Sequence, residues 1–510
     1  MKKVLTLVFT LVTLISTCLA GPAKSIAPKR EMRAAWIASV ENIDWPSKAG
    51  LSAEEQKKEL TALVEKLNEV GINTIVLQIR PYGDALYESK IEPWSKYLTG
   101  KQGVAPQSGF DPLSFMIEEC HKRYMELHAW FNPYRVAKTD DAEVNAQHVS
   151  RKHPEWLVTY GKLKVLDPGL PQTREYVTQV IMDVVRRYDV DGIHLDDYFY
   201  PYKIKGVEFN DKSSFAAHSR GFKPSQKNDW RRDNVNLIIK MLADSIHAAK
   251  PYVKFGVSPF GIWRNKKSDA RGSETNGGQN YDDLYADILL WLQNRWVDYI
   301  VPQLYWHIGM KSANYETLAK WWAANCHGVP LYIGQGVYKI DAQSKDKAWA
   351  DGKEIARQIT LNRSIPQIQG SFFYSAKSFM QNPMGLNSKL KKEFYRYPAL
   401  IPTTPRLDSI APAKPTNLVA KKGASIIKLS WAAGDSTATD GEKSRYYVVY
   451  RFDDDDDLNN PANIYTITRD TSITLKRRQA LERGKVRFCV TALDRLSNES
   501  EPTEKVTVRM

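Results

Sequence analysis

Cysteine is nearly missing from this 510-residue chain: Cys18, Cys120, Cys326 and Cys489 stand far apart. So thin a set, with no CxxC pair, excludes a disulfide framework and a structural zinc site, leaving buried thiols as the expectation. Other absences narrow the field further. No HExxH and no GxSxG occurs, which removes the zinc-protease and nucleophile-elbow readings. No glycine-rich phosphate fingerprint follows an early apolar run, so a dinucleotide-binding doubly wound sheet is excluded. Past the N-terminus no apolar run is long enough to cross a bilayer. Net charge is +14, yet there is no basic helix, finger spacing or RNP-like motif, so nucleic acid is not the expected partner. An anionic surface such as cell wall or acidic glycan, or plain solvation, accounts for the charge.

What is present begins with Lys2 and Lys3, an apolar run over 4–15 and a small-residue cleavage site at Ala20. This predicts a secretory signal over residues 1–20 and an exported protein, periplasmic or associated with the outer membrane. Cys18 admits a lipid anchor, although Thr17 stands where such signals usually have Gly, Ala or Ser. With 43% hydrophobic and 25% charged residues the remainder is globular, and its length calls for more than one domain.

From Glu31 onward β-runs alternate with helical patterns. Eight runs are predicted, at 32–40, 74–80, 126–132, 192–197, 254–260, 299–305, 330–334 and 370–374. Helices are predicted over 52–70, where Ser52 and Glu55 form a capping box, and over 112–123, 171–188, 232–250, 282–295, 315–325 and 352–362. Eight such repeats predict an α/β fold, a (β/α)₈ TIM barrel over residues 28–400. Insertions at 138–167 and 200–228 flank the fourth run. Residues 401–412, with Pro402, Pro405 and Pro412, read as a linker.

Residues 413–510 change texture, with short β-runs at 426–431, 446–452, 472–475 and 485–492. Pro415-Thr416-Asn417-Leu418, Leu429-Ser430-Trp431, Tyr447-Val448-Val449-Tyr450-Arg451 and Val490-Thr491-Ala492-Leu493-Asp494 carry the match. The segment resembles a fibronectin type III module, a small all-β sandwich. The acidic run 453–457 inside it reads as a solvated loop tip, with calcium binding as the alternative.

The stretch Asp191-Gly192-Ile193-His194-Leu195-Asp196-Asp197-Tyr198 is the most informative. Side chains alternate along a strand, so Ile193 and Leu195 face the helices while His194, Asp196 and Tyr198 face the barrel interior. The same rule turns Gln78, Arg80, His128, Trp130, Asn132, Ser258, Phe260, Gln303 and Tyr305 inward at carboxyl ends, where barrel active sites lie. Aromatic faces edged by hydrogen-bonding groups suit a sugar ring. Arg80, Trp130, Asn132, Tyr134, His194, Tyr198, Gln303, Tyr305 and Trp306 are the candidate substrate contacts.

Cleaving a glycosidic bond usually takes two carboxyl groups, an acid and a nucleophile or base. Asp196 is the first candidate; Asp197, Asp167 and Asp84 are open as its partner. Each has a structural alternative: Asp84 as a turn cap or partner of Arg80, and Asp167 as turn chemistry before Pro168-Gly169. A divalent ion on His194, Asp196 and Asp197 is a minor reading; no metal and no cofactor is expected.

A longer series of motifs runs through this region. It comprises Glu31-Met32-Arg33-Ala34-Ala35-Trp36-Ile37, Gln78-Ile79-Arg80-Pro81, Gly83-Asp84-Ala85-Leu86-Tyr87, His128-Ala129-Trp130-Phe131-Asn132-Pro133-Tyr134-Arg135 and Pro302-Gln303-Leu304-Tyr305-Trp306, with the stretch 191–201. Together these resemble the glycosyl-hydrolase-like family ten, including its divisome-localised members. The resemblance implies a TIM-barrel glycosidase acting outside the cytoplasm, on peptidoglycan glycan strands lacking stem peptides. A fainter similarity to the chitinase strand ending DGxDxDxE breaks down at His194 and at Tyr198, where the acid Glu would stand, so that mechanism is not carried over. The fibronectin-like tail also differs from a dedicated septal targeting domain. The alternative to an enzyme is a glycan-binding or scaffolding protein on a degenerate barrel.

Overall fold

The computed structural model describes residues 27–141, 144–434, 443–453, 455–476 and 484–509. The expected signal over 1–20, with Cys18, lies outside the described residues. Eight parallel strands close into one barrel: β1 (Met32–Ile37), β2 (Thr74–Arg80), β3 (Glu126–Phe131), β4 (Gly192–Leu195), β5 (Lys254–Val257), β6 (Tyr299–Ile300), β7 (Leu331–Gln335) and β8 (Ile368–Phe373). Each strand pairs with its sequence neighbours, and closure comes where Ala35 of β1 meets Phe373 of β8. All eight predicted runs are strands of this barrel, and the helices between them cover it outside.

The alternation of faces explains the closure. Leu77, Ile79, Leu127, Ala129, Phe131, Ile193 and Leu195 pack outward with Leu60, Leu63 and Leu67 of helix α1 (Ala53–Val70) in one apolar cluster. Met32, Ala34, Trp36, Val76, Trp130, Tyr299, Tyr332 and Phe372 form a second cluster, inside the barrel. Each large side chain buried this way contributes roughly 1.5–3 kcal/mol. Toward the floor of the barrel, Lys254 donates to Glu126 at 2.5 Å and His128 bridges Glu126 and Tyr299 at 2.9 and 2.7 Å. These buried polar groups satisfy one another, as their burial demands.

β5 and β6 are shorter than the predicted runs because Pro259 and Pro302 lack the amide N–H that a ladder needs. Only isolated bridges, Phe260 to Gln303 and Gln303 to Gly334, continue the pairing there. The helix expected over 282–295 is two pieces, Asn280–Asp283 and Ile288–Gln293, the second capped by Asp287. The insertion before β4 is not an irregular loop. It forms a three-stranded antiparallel sheet of Arg135–Lys138, Leu163–Leu166 and Leu157–Tyr160, with the tight Gly161-Lys162 turn between the last two strands. The insertion after β4 carries one short helix, Lys212–Ala217, and is pinned by a buried ion pair from Arg231 to Asp211 at 2.7 Å.

Beyond the barrel, two antiparallel sheets follow. One has Thr416–Lys422, Ile426–Ala432 and Ser472–Lys476; the other orders Ile464–Thr468, Tyr446–Phe452, Lys485–Leu493 and Val506–Arg509. Strand Tyr446–Phe452 is buried on both faces: Tyr447 and Val449 face Trp431 and Phe488, while Tyr446, Val448 and Tyr450 join Met32, Tyr124, Leu400 and Ile401 of the barrel floor. Tyr446 donates to the His121 carbonyl at 2.9 Å, Tyr124 bonds Ser497 at 3.1 Å, and Arg445 and Arg495 both pair with Asp189. The acidic stretch after Phe452 is engaged internally: Asp455 accepts from Asn460 and Asn463, and Asp456 pairs with Arg487 and Lys505. No cluster of three metal-ligating side chains occurs among the described residues, and no described helix is long and apolar enough to cross a membrane. Cys120, Cys326 and Cys489 are buried free thiols.

Candidate active site

β4 ends at Leu195, and the chain bends, so both following aspartates reach the barrel mouth instead of alternating across the sheet. Asp196 and Asp197 are buried and bond to different partners. The Asp196 Oδ2 accepts from the Trp130 indole at 3.1 Å and from the Asn132 amide, and its Oδ1 accepts from the Tyr198 backbone N–H at 3.1 Å. Asp197 accepts from the Tyr202 hydroxyl and from Gln303.

A relay fixes Asn132. Backbone N–H groups of Ser39 and Val40 donate to the Gln78 Oε1 at 3.0 and 2.9 Å, and Gln78 donates onward to the Asn132 Oδ1 at 2.5 Å. Arg135 donates to the same oxygen at 2.7 Å. With its oxygen taken twice, Asn132 must aim its NH₂ at Asp196. The Arg135 guanidinium is itself sandwiched over the rings of Tyr82 and Tyr198, 4.6 and 4.9 Å from their centroids.

These surroundings separate two chemically identical groups. Burial raises both carboxyls. For Asp196 the Arg135 charge and three hydrogen bonds oppose that rise. For Asp197 the negative charge of Asp196 adds to burial, and the group is pushed up to about 7, with Tyr202 and Gln303 opposing. The two groups titrate together, and the surroundings favour the proton on Asp197 over Asp196. Unequal carboxyls of this kind divide into an acid and an anion.

Around them stands an aromatic rim. Tyr198 meets Tyr202 edge-on at 5.6 Å, Tyr202 meets Phe260 at 6.2 Å and Phe260 meets Trp306 at 5.5 Å. Across the mouth Tyr305 lies 5.9 Å from Tyr374 and 6.0 Å from the exposed Tyr338. Asp196, Asp197, Trp130, Asn132, Tyr198, Gln303, Tyr305 and Trp306 thus gather at one opening.

The remaining candidates lie elsewhere. His194 is one layer deeper, bonded to Tyr299 at 3.0 Å and Ser258 at 2.9 Å, with the Trp36 indole donating to its Nε2. Burial holds its imidazole well below the ordinary value, so it is neutral and serves as packing under Asp196. Arg80 does not face the mouth. A bulge between Gln78 and Arg80 turns it toward the helix layer, where it pairs with Glu92 at 2.6 Å and bonds the carbonyls of Asn132 and Pro133. Tyr134 packs in the outer apolar cluster. Asp84 accepts from Gln102 at 2.9 Å, and Asp167 accepts from Gly169 N–H at 2.8 Å; neither has a hydrogen bond to Asp196 or its partners Trp130, Asn132 and Tyr198. Arg135, Tyr202, Tyr338 and Tyr374 are site residues that strand periodicity misses, because all four lie beyond the ends of barrel strands.

The profile of the glycosyl hydrolase-like 10 family matches residues 31–351. The chain belongs to that family. It is 44% identical over 487 residues to "Glycosyl hydrolase YngK" of Bacillus subtilis, covering 94% of this chain and 93% of the relative. Identity is 39% over 376 residues to "Glycosyl hydrolase DigH" of Escherichia coli K12, covering 69% and 84%. Among solved structures, the PgaB glycoside hydrolase domain of Bordetella bronchiseptica superposes with a TM-score of 0.47 at 11% identity, over 72% of this chain and 99% of that one. Membership makes this chain a glycoside-hydrolase-type enzyme, and the family match takes in β1 to β7, including the aspartate pair.

Proposed function

We propose that this chain is an exported glycoside hydrolase that cuts bacterial cell-wall glycan, with peptidoglycan strands lacking stem peptides as its substrate. The observation that carries the reading is the Asp196–Asp197 pair, one group an anion and its neighbour a proton carrier, in a mouth rimmed by Tyr198, Tyr202, Trp306 and Tyr305. Asp197 protonates the leaving glycosidic oxygen, and Asp196 stabilises the positive charge that develops at the anomeric carbon. Export rests on the signal-like 1–20 segment, with lipid attachment at Cys18 as a variant of it; a net charge of +14 favours retention at an anionic wall. The three- and four-stranded sheets after residue 413 support a fibronectin type III-like module packed against the barrel floor.

The test incubates mature protein, and separately Asp196→Asn, with glycan strands after amidase treatment, and follows new reducing ends by mass spectrometry. Fragments from the parent and at least about 10²-fold fewer from the variant are expected. Fragments from both would remove Asp196 from the chemistry. Binding of the strands without cleavage would hand the mouth to a glycan-binding role.

A further inference from the structure

The two mouth acids are consecutive residues directly after β4, so both approach a bound sugar from the β4 wall. A conventional pair works from opposite sides of the scissile bond, at about 5–5.5 Å for retention or 6.5–9.5 Å for inversion. Close to them stand the aromatic rings of Tyr305 and Tyr374, 5.9 Å apart. Three described carboxylates close to the rings of Tyr374 and Tyr82 are committed elsewhere. Asp44 accepts from Ala38 N–H, the Ser375 hydroxyl and Lys377 N–H at 2.6–2.8 Å. Glu41 pairs with Lys138, and Asp141 with Lys96. None of these three carboxylates is therefore free to attack from the far face.

The state of Asp196 points the same way. Its Oδ2 receives two donors and is saturated, whereas Oδ1 receives only the Tyr198 N–H and keeps one lone pair. That lone pair suits one further N–H. The amide N–H of an acetamido group is a donor of that kind, and the Tyr305 and Tyr374 rings nearby offer apolar faces to its methyl.

Building on the hydrolase reading above, we propose that the attacking group comes from the substrate: a 2-acetamido sugar whose own carbonyl oxygen displaces the leaving group, with Asp196 holding the amide N–H and Asp197 supplying the proton. In the first step the proton of Asp197 moves to the glycosidic oxygen and the C1–O bond breaks. The acetamido oxygen bonds to C1 on the opposite face, and Asp196 takes the amide proton, leaving an oxazoline. In the second step Asp197 removes a proton from water and the water oxygen bonds to C1. The ring C1–O bond then breaks and Asp196 returns its proton to nitrogen. The sum is hydrolysis with retained anomeric configuration. The substrate class that follows is a glycan of N-acetylated 2-amino sugars.

The experiment uses the mature full chain on amidase-treated strands, alongside strands whose acetyl groups are replaced by trifluoroacetyl. It also uses the thiazoline analogue of N-acetylglucosamine, which mimics the oxazoline. Expected are a retained product anomer, competitive inhibition by the thiazoline, and a kcat about tenfold or more lower on the trifluoroacetyl strands with KM within about threefold. Equal kcat on both strands, an inverted product, or a covalent sugar adduct on Asp196 trapped with a fluorosugar would overturn the mechanism while leaving the hydrolase reading standing. Failure to cut any acetylated strand would bring down the hydrolase reading and this mechanism with it.

Discussion

Asp196 and Asp197 share a side-chain type and differ only in neighbours, so their division of labour has a titration signature. Asp197 must carry its proton to act as an acid, and it loses that proton at about pH 7. The rate should therefore decline on the alkaline side of about pH 7, close to tenfold per unit, as a plot of log kcat/KM against pH would reveal. The stability sign is opposite to that of a salt-bridged carboxylate. Folding raises the Asp197 affinity for its proton above the ordinary value of 3.8, so its contribution is present at low pH and is lost as pH climbs from there toward about 7. Asp197→Asn removes that loss. Its melting temperature relative to the parent should rise between pH 4 and pH 8, by about 2 °C or more. Arg135 is the largest influence opposing the raised Asp196 value. Arg135→Gln should move the acid limb of the activity profile upward by about half a unit or more. An unchanged acid limb would dismiss Arg135 as an electrostatic support.

Helix α1 shows how local rules set an element. Ser52 accepts from the Glu55 N–H at 3.2 Å while Glu55 accepts from the Ser52 N–H at 2.9 Å, satisfying two otherwise orphaned donors. Ser52→Ala should cost about 1 kcal/mol in a denaturant titration. The helix ends at Gly71, whose φ is 106° and where an added Cβ would lie 2.9 Å from the Tyr395 Cβ, leaving no room for a side chain. The Ser52–Glu55 capping box is legible in the sequence, as are the eight barrel strands, because faces that alternate with period two leave a pattern. The bulge in β2 leaves none, so Arg80 was assigned inward when it belongs to Glu92. The Tyr160-Gly161-Lys162-Leu163 turn did carry a hairpin signal, flanked by alternating residues, and the sheet of the first insertion was readable from it. The partners that draw Asp84 to Gln102 and Asp167 to Gly169 were not readable in full, since the first comes from a separate loop and depends on tertiary packing.

Over the whole molecule, the C-terminal sheets do not hang from the barrel. A sheet exposed on one side normally alternates buried and open residues, yet Tyr446–Phe452 is covered on both faces, one of them by the barrel floor. The expected outcome is one cooperative thermal transition for barrel and tail together. A chain ending at residue 412 should aggregate or melt at least about 5 °C lower, because Met32, Tyr124, Leu400 and Ile401 lose their apolar cover. Two separate transitions, or an unchanged barrel melt, would mean that the contact carries little energy. The docked strand also bears on descent. A module pressed into the barrel floor cannot be exchanged as a bead on a string, because replacing it would strip Tyr124 of Ser497, and Asp189 of Arg445 and Arg495. In lineages that drop the tail, the floor of the barrel should turn polar in the same step.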